Sequence, residues 1–435
     1  MTSKPATDLA AWAGRPAIRV AGLLFLAGSV VWGCAGQAAA LAIATSQATR
    51  SAGSSEDANQ AAAAIDAFAF DYYKATSTPG SNIVASPASI VLALSMAQAG
   101  ARGETASQMD AVLHSALGAG GGNGINSLDQ ALAGLSGTFK DPGGDDRQVA
   151  VRIANAPFAQ SGMELQQPFL DTLASKYGAG LRLVDFASNP DAACRSIDSW
   201  VSDQTEGRIP KLLDSLDQQT RLVLVNAIYL KAAWQTAFDP GSTQSAPFTR
   251  PDGSQVSVPT MRVGLSEGRY ASGAGWQAVE LPYVNRSLAM TIVVPDSLAT
   301  FEAGLSATSF SAITSALEPA PVDLTLPRFK VASKSDLSTT LTAMGMPLAF
   351  DAGRADFTGI TTREQLFIAS VVHQANISVD ESGTEATAAT AVEMQATATP
   401  ARQVTLHVDR PFIFAVRDVT TGAILFLGQV VDPSV

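Results

Sequence analysis

The chain has 435 residues, 46% of them hydrophobic, enough to bury a large core and, by length alone, to form more than one domain. A net charge of −11, a pI near 4.8 and the lack of a basic stripe exclude a surface built for nucleic acid or anionic lipid, since phosphate recognition needs clustered Lys and Arg. The histidines His114, His373 and His407 lie far apart and lack metal-ligand spacing with cysteine, so no metal or other cofactor is expected.

Residues 1–33 read as an export signal: Arg15 and Arg19 precede an apolar run from Val20 to Trp32 that is short for a membrane span. Val31-Trp32-Gly33-Cys34 is similar to a bacterial lipobox, in which Cys34 would be lipidated and anchor the protein to the membrane; cleavage after Ala40 or Ala44 and a retained anchor are the alternatives. Each of these routes takes the protein out of the cytoplasm, to the cell envelope or the extracellular space. Residues 34–57 then form a flexible linker, because the Ser, Thr, Gly and charged residues of Thr45–Asn59 bury too little apolar area to order themselves. With Cys34 acylated or removed, Cys194 is left as a lone buried thiol, no internal disulfide forms, and packing must hold the fold.

From Ala58 to Lys74 the apolar residues recur at helical spacing, with Phe68, Tyr72 and Tyr73 as packing residues. Asn82–Pro87 reads as extended, and a second helix follows from Ala88 through Gln98 with Pro87 near its start. Gly118–Gly124 and Asp141–Asp146 read as surface loops. Val149–Ala156 has strand character, Pro190–Asp203 is helical around Trp200, and Arg221–Tyr229 is a β-rich run. Beyond it, Val256–Val263, Gln277–Leu281, Ala289–Val294, Val322–Leu326, Phe367–Val379, Gln403–Val408 and Phe412–Val416 alternate with turns. The pattern is α+β, helix-rich in its first half, with large antiparallel sheets.

Glu381–Thr397, written as a strand, sorts onto two faces. Thr384, Ala386, Ala388, Thr390, Val392, Met394 and Ala396 share one that is small and neutral; Glu385, Thr387, Ala389, Ala391, Glu393 and Gln395 share the other, which holds both internal charges. The first face suits burial under helices, yet Ala and Thr are too small to fix a strand by hydrophobicity alone. Such a segment fits a sheet and can equally be stored outside it, with Gly383 as its pivot and no proline before Pro400 to remove a ladder donor. Taken alone, the run also reads as a low-complexity Ala/Thr linker.

The hinge pattern Glu381, Ser382, Gly383, Thr384, Glu385, Ala386, Thr387, Ala388, Ala389, Thr390 resembles that of the serpins, and further motifs agree in the family's order. These are NIVASPASIVLALSMAQAGARGET from Asn82, IDSWVSDQTEGRIPKLL from Ile197, LVNAIYLKAAWQTAFDP from Leu224, LPRFKVASKSDL from Leu326, DFTGI from Asp356, and RPFIFAVRDVTTGAILFLGQVVDP from Arg410. The resemblance implies one serpin domain over 58–435: a helix-rich half packed on large antiparallel sheets, with an exposed reactive loop. It further implies a monomeric suicide-substrate inhibitor of serine endopeptidases, in which a protease cuts the loop, stays attached as an acyl-enzyme, and is carried along as the loop inserts into the main sheet.

Counting along the family's loop length from Gly383 puts the reactive bond between Thr397 and Ala398, with Ala396–Thr397 and Met394–Gln395 as alternatives. Small residues there suit an elastase-like or subtilisin-like pocket; Arg402 lies too far along for a trypsin-like one. Ser86, Ser89, Asn226 and His373 match the family's shutter, and Trp234, Arg328 and Glu381 its breach, where Arg328 and Glu381 would pair and keep the loop's entry shut. A hydrolase using His373 as base for Ser86 or Ser382 is disfavoured because neither serine sits in a GxSxG turn. A non-inhibitory serpin serving as a binding or structural module is the alternative; the small residues on the inward face of the hinge argue against it.

Overall fold

A computed structural model describes residues 41–114, 122–385 and 403–435. The expectations placed on the export signal, Cys34, Ala386, Ala388, Thr390, Thr397 and Ala398 lie outside the described residues.

Strand β1 (Ala42–Ala44) is followed by α1 (Ser55–Thr76), which Ser54 caps by accepting from the Asp57 backbone N–H. After β2 (Ile83–Ala85), Pro87 opens α2 (Pro87–Gln98) where its missing donor costs nothing, and every residue of α2 is buried. Next come α3 (Gly103–Val112), α4 (Gly122–Ala133), β3 (Gly137–Lys140), β4 (Asp146–Gln160), α5 (Gln167–Thr172), β5 (Leu181–Val184), α6 (Pro190–Gln204) and β6 (Leu222–Ala233). A run rich in strands follows: β7 (Gln244–Thr249), β8 (Gln255–Gly273), β9 (Trp276–Pro282) and β10 (Leu288–Pro295). The short helices α7 (Leu298–Gly304) and α8 (Ala307–Ser315) precede β11 (Glu318–Pro327), β12 (Phe329–Asp336) and α9 (Ser338–Met344). The chain ends with β13 (Ser370–Asp380), β14 (Gly383–Thr384), β15 (Val404–His407), β16 (Phe412–Asp418) and β17 (Ile424–Val430).

Two sheets organise these elements into the expected α+β architecture. The first runs β1-β5-β4-β6-β14-β13-β12, with β3 hairpinned onto β4; the second runs β15-β11-β8-β9-β10-β16-β17-β2, with β7 on β8. Most pairings are antiparallel, but β4–β5, β6–β13 and β11–β15 are parallel. In β6 alternate residues serve two cores. Leu222, Leu224, Ile228, Leu230 and Ala232 join the main core with α1, α2 and the second sheet, while Val223, Val225 and Ala227 pack under Ala193, Cys194, Ile197 and Val201 of α6. The centre of the first sheet is therefore covered on both faces.

Two expectations are corrected. The described end of the glycine run is not a loop: Gly122 and Gly124 open α4, and a Cβ on Gly124 would meet the Asp57 carbonyl oxygen at 3.1 Å, so the small residue lets α4 lie close against α1. The stretch assigned to a flexible tether is ordered from Leu41 onward. It forms β1, pairs with β5, and is bolted down by polar contacts, among them Arg50 Nε to Asn126 Oδ1 at 2.9 Å and Ser51 N to Ser175 O at 2.8 Å. Composition measures apolar area, and this segment docks by hydrogen bonds instead.

A half-buried acid couples the fold to pH. Asp66 of α1 accepts from the Ile424 backbone N–H at 3.0 Å, and burial, opposed by that bond and by the Arg417 charge, pushes its carboxyl up to about 7. An unfolded Asp ionises near 4, so between about pH 4 and pH 7 the unfolded chain gives up this proton first and stability falls as pH rises. Asp66→Asn keeps the acceptor and removes the titration; the decline in melting temperature from pH 4 to pH 7 is expected to shrink by at least about 2 °C in calorimetry.

Candidate functional site

The site is a fork in the first sheet. At its lower end β6 and β13 pair directly and in parallel, from Val223↔Ser370 to Ile228↔Ala375. At its upper end β14 lies between them, antiparallel to both: Gly383 pairs with Asp380 and Ala233, Thr384 with Val379 and Ala232. β14 returns from β13 through a hairpin over Glu381 and Ser382, held by Asp380, whose Oδ1 accepts from the backbone N–H groups of Ser382 at 2.8 Å and Gly383 at 3.2 Å. Gly383 does more than pivot. A Cβ there would sit 2.1 Å from the Ala232 carbonyl oxygen, so only glycine lets β14 close against β6.

The three breach residues meet at the mouth of the fork. Arg328 Nε lies 2.8 and 2.9 Å from the two Glu381 oxygens, with its terminal nitrogen at 2.6 Å, and Thr243 Oγ1 donates to the same carboxylate. Burial pushes the Glu381 carboxyl up, but the bonds from Arg328 and Thr243 outweigh it and hold the group below its usual range. Arg328 itself is half exposed while Glu381 is only 7% exposed, which removes the pair from the class of solvated surface contacts. Trp234 stacks on Tyr283 at 4.6 Å and donates from Nε1 to the Asp380 carbonyl at 3.0 Å, and its backbone N–H donates to Ser382 O at 3.0 Å. Tyr283, which sequence reasoning missed, bonds Thr384 through its hydroxyl at 2.6 Å. The first inward side chain of the hinge is thus already buried.

Glu385 marks the crotch of the fork. Its backbone N–H donates to Ser378 O at 3.0 Å and its φ is +49°, in the left-handed region, so the extended backbone of β14 ends at this residue. Its side chain lies on the second strand face, the one that holds both internal charges, and is only 12% exposed. Arg208, on the segment after α6, faces it at 3.4 Å as an ion-pair contact without hydrogen-bond geometry. Burial pushes this carboxyl up, against the lowering charges of Arg208, Lys330 and Lys231.

Lower down, the shutter residues meet where the parallel ladder is closed. The Ser86 backbone N–H donates to His373 Nε2 at 3.1 Å, which leaves the proton on Nδ1, and that N–H donates to Asn226 Oδ1. Asn226 Nδ2 donates to Ser89 Oγ at 2.7 Å and to Asn155 Oδ1 at 2.9 Å, and Ser89 Oγ donates to Asn155 Oδ1 at 2.9 Å. Burial holds the His373 imidazolium pKa down at about 3, so the ring is neutral. Its Nε2 is spent on the Ser86 backbone, which leaves the Ser86 hydroxyl to cap α2 by accepting from Ser89 N at 3.3 Å. No nucleophile is activated by this ring. Asn155 is the shutter member that sequence reasoning missed, although a polar residue on the same strand face as Val149, Val151 and Ile153 signals it.

Comparison with known proteins gives one consistent outcome. The family described as Serpin (serine protease inhibitor) matches residues 63–433. A serpin-like protein of Thermococcus kodakarensis is 38% identical over 378 residues, covering 85% of each chain. The leukocyte elastase inhibitor of Sus scrofa is 35% identical over 390 residues, covering 86% of this chain and all of its own. Among solved structures, native tengpin, a thermophilic serpin, superposes with a TM-score of 0.76 at 26% identity, covering 89% of this chain and 97% of its own.

Two predictions follow from the geometry. His373→Ala leaves Asn226 Oδ1 and the Ser86 N–H without their partner in a dry site, which costs roughly 1–3 kcal/mol at pH 7 by denaturant unfolding. The wild-type ring, neutral when folded, gains its proton near pH 6.5 only when unfolded; its contribution is full above that pH and lost as pH falls toward about 3. The variant should lack this component of acid sensitivity. Glu381→Lys places a cation against Arg328 and should release the hairpin, seen as polymer or loop-inserted monomer on native gels; a variant that stays monomeric and unchanged refutes a gating role for the pair.

Proposed function

The chain belongs to the serpin family, and on that footing we propose that it is a suicide-substrate inhibitor of serine endopeptidases with elastase-like or subtilisin-like specificity. The protease attacks Thr397–Ala398, remains esterified to the new end, and is displaced as the upstream segment extends β14 down the fork. The protein works as a monomer outside the cytoplasm, held at a membrane through Cys34 or freed by signal cleavage.

The observation that carries this reading is register. The offset by which β14 matches β6 and β13 at once equals the offset of the parallel β6–β13 ladder below it. A strand continued from Thr384 therefore drops between the two without a slip. Ala386 would fall opposite Ile377 and Leu230, Ala388 opposite Ala375 and Ile228, and Thr390 opposite His373 and Asn226, all of them buried neighbours. On the other face Ala389 and Ala391 would fall level with Ala227 and Val225, beneath α6, where side chains larger than Ala meet a packed core. Both faces of the hinge segment are small where the slot is closed on both sides.

Energy favours the exchange. Insertion replaces one short parallel ladder by two antiparallel ones, and at roughly 0.5–1.5 kcal/mol per added bond about a dozen bonds contribute on the order of 10 kcal/mol. Small residues at the bond suit small-pocket proteases, in line with the name of the porcine relative as an elastase inhibitor.

The test is to mix the protein with elastase, subtilisin and trypsin. An adduct resistant to heat and detergent is expected with the first two, and mass spectrometry of the released peptide should place the cut after Thr397. Clean cleavage without adduct by all three would instead favour a non-inhibitory binding or structural role.

A further inference from the structure

We infer that the N-terminal arm, residues 41–54, is a brake on the opening of the first sheet. The inference rests on the insertion reading above, because it concerns how readily the slot between β6 and β13 widens.

For that slot to widen, the half-sheet β5–β4–β6 must part from β13–β12. β6 and β4 are zipped from Leu222↔Ala159 to Ala232↔Val149, and β5 is paired to β4, so these strands move together. β1 belongs to this unit through its pairing with β5, Ala42↔Leu183 to Ala44↔Leu181. Within ten residues of β1 the same chain enters α1, whose buried face packs in the main core, in the layer behind the sheet. The arm thus joins the unit that moves to the layer against which it moves.

The join is bonded on both sides of the seam. Toward the sheet, Ser46 Oγ donates to Asp171 of α5, and the Ser51 N–H donates to Ser175 O, both on the segment between β4 and β5. Toward the helices, Arg50 bonds Asn126 and pairs with Asp129 of α4, Asn126 Nδ2 and Gln130 Nε2 donate to Ser51 O at 2.9 and 3.0 Å, and the Ser54 N–H donates to Ser127 Oγ at 3.0 Å. Two glycines make room. A Cβ on Gly178 would meet the Arg50 guanidinium at 2.9 Å, and one on Gly180 would meet Ile43 at 2.6 Å and the Ala44 carbonyl at 2.9 Å. Sliding the half-sheet by a fraction of a strand spacing breaks contacts on one side or the other, so the docked arm raises the barrier to expansion.

The test uses the full chain and needs no protease. A synthetic peptide of residues 384–397 is incubated with wild type, with Ser46→Ala/Arg50→Ala, and with Gly180→Val, which pushes β1 off β5. Annealing is followed by the rise in melting temperature, and docking of the arm by hydrogen exchange of the 42–44 amides. In variants whose arm exchanges freely, annealing should be roughly threefold faster or more. A freed arm with an unchanged annealing rate overturns the brake, as does an arm that stays protected in both variants, since these contacts then do not hold it. A peptide that fails to enter even the wild type instead refutes the insertion reading itself.

Discussion

The structure turns on one constraint: two parallel strands at the centre of a sheet, β6 and β13, whose backbone edges must each be paired. They satisfy one another only as far as Ile228 and Ala375. Further up the two-residue strand β14 pairs with both, at Ala232–Ala233 and Val379–Asp380, and between the two regimes the Glu385 N–H donates to Ser378 O. A sheet of this kind has two ways to lower its free energy: to close by expelling β14, or to complete itself by lengthening it. The breach residues oppose the first. Trp234 and the Arg328–Glu381 pair hold the hairpin from which β14 descends, and Tyr283 holds Thr384 by its hydroxyl.

The second route meets the shutter. There His373 and Asn226 face each other across the ladder, and in the proposed inserted register Thr390 would fall at the same level. A polar cluster at this place gives a buried strand boundary that can open without stranding a donor, because an entering hydroxyl can both donate and accept. An apolar pair would hold the ladder closed by packing alone and offer the entering strand nothing to replace it with. The depressed pKa of His373 keeps the ring neutral, so no charge has to be desolvated when the strands part.

Much of this was legible in the sequence, for reasons specific to each part. The long strands announced themselves by β-rich runs, α1 and α6 by their helical spacing, and α2 by the proline near its start. The breach and shutter residues followed from motif resemblance, and the structure brings both groups together. What stayed hidden depends on approach between distant segments. Gly124 sits in a helix because Asp57 and Ala61 lie against it, and the tether is docked because Asn126, Asp129, Gln130 and Ser175 present partners to it. Strand alternation puts Glu385 on the face that holds both internal charges, and the segment after α6 brings Arg208 against that charge. Alternation tells the two faces of a strand apart; it does not tell which face the rest of the chain will cover.

That last point bears on how the hinge works. A strand with an open second face can carry charge freely; one that inserted beneath α6 could not. The run keeps its charges at Glu385 and Glu393 and places Ala389 and Ala391 between them. In the proposed inserted register Glu385 would stay beside Arg208, Lys231 and Lys330 at the fork, whose charges oppose but do not cancel the upward push of burial on its carboxyl, and Glu393 would reach the level of Val223 and Ser370, where the parallel ladder begins. The uncharged stretch 386–392 is thus the part that would meet Ala227 and Val225 beneath α6, while Glu393 would meet the last of that cover at Val223 and limit how far the segment can insert without a partner for its charge.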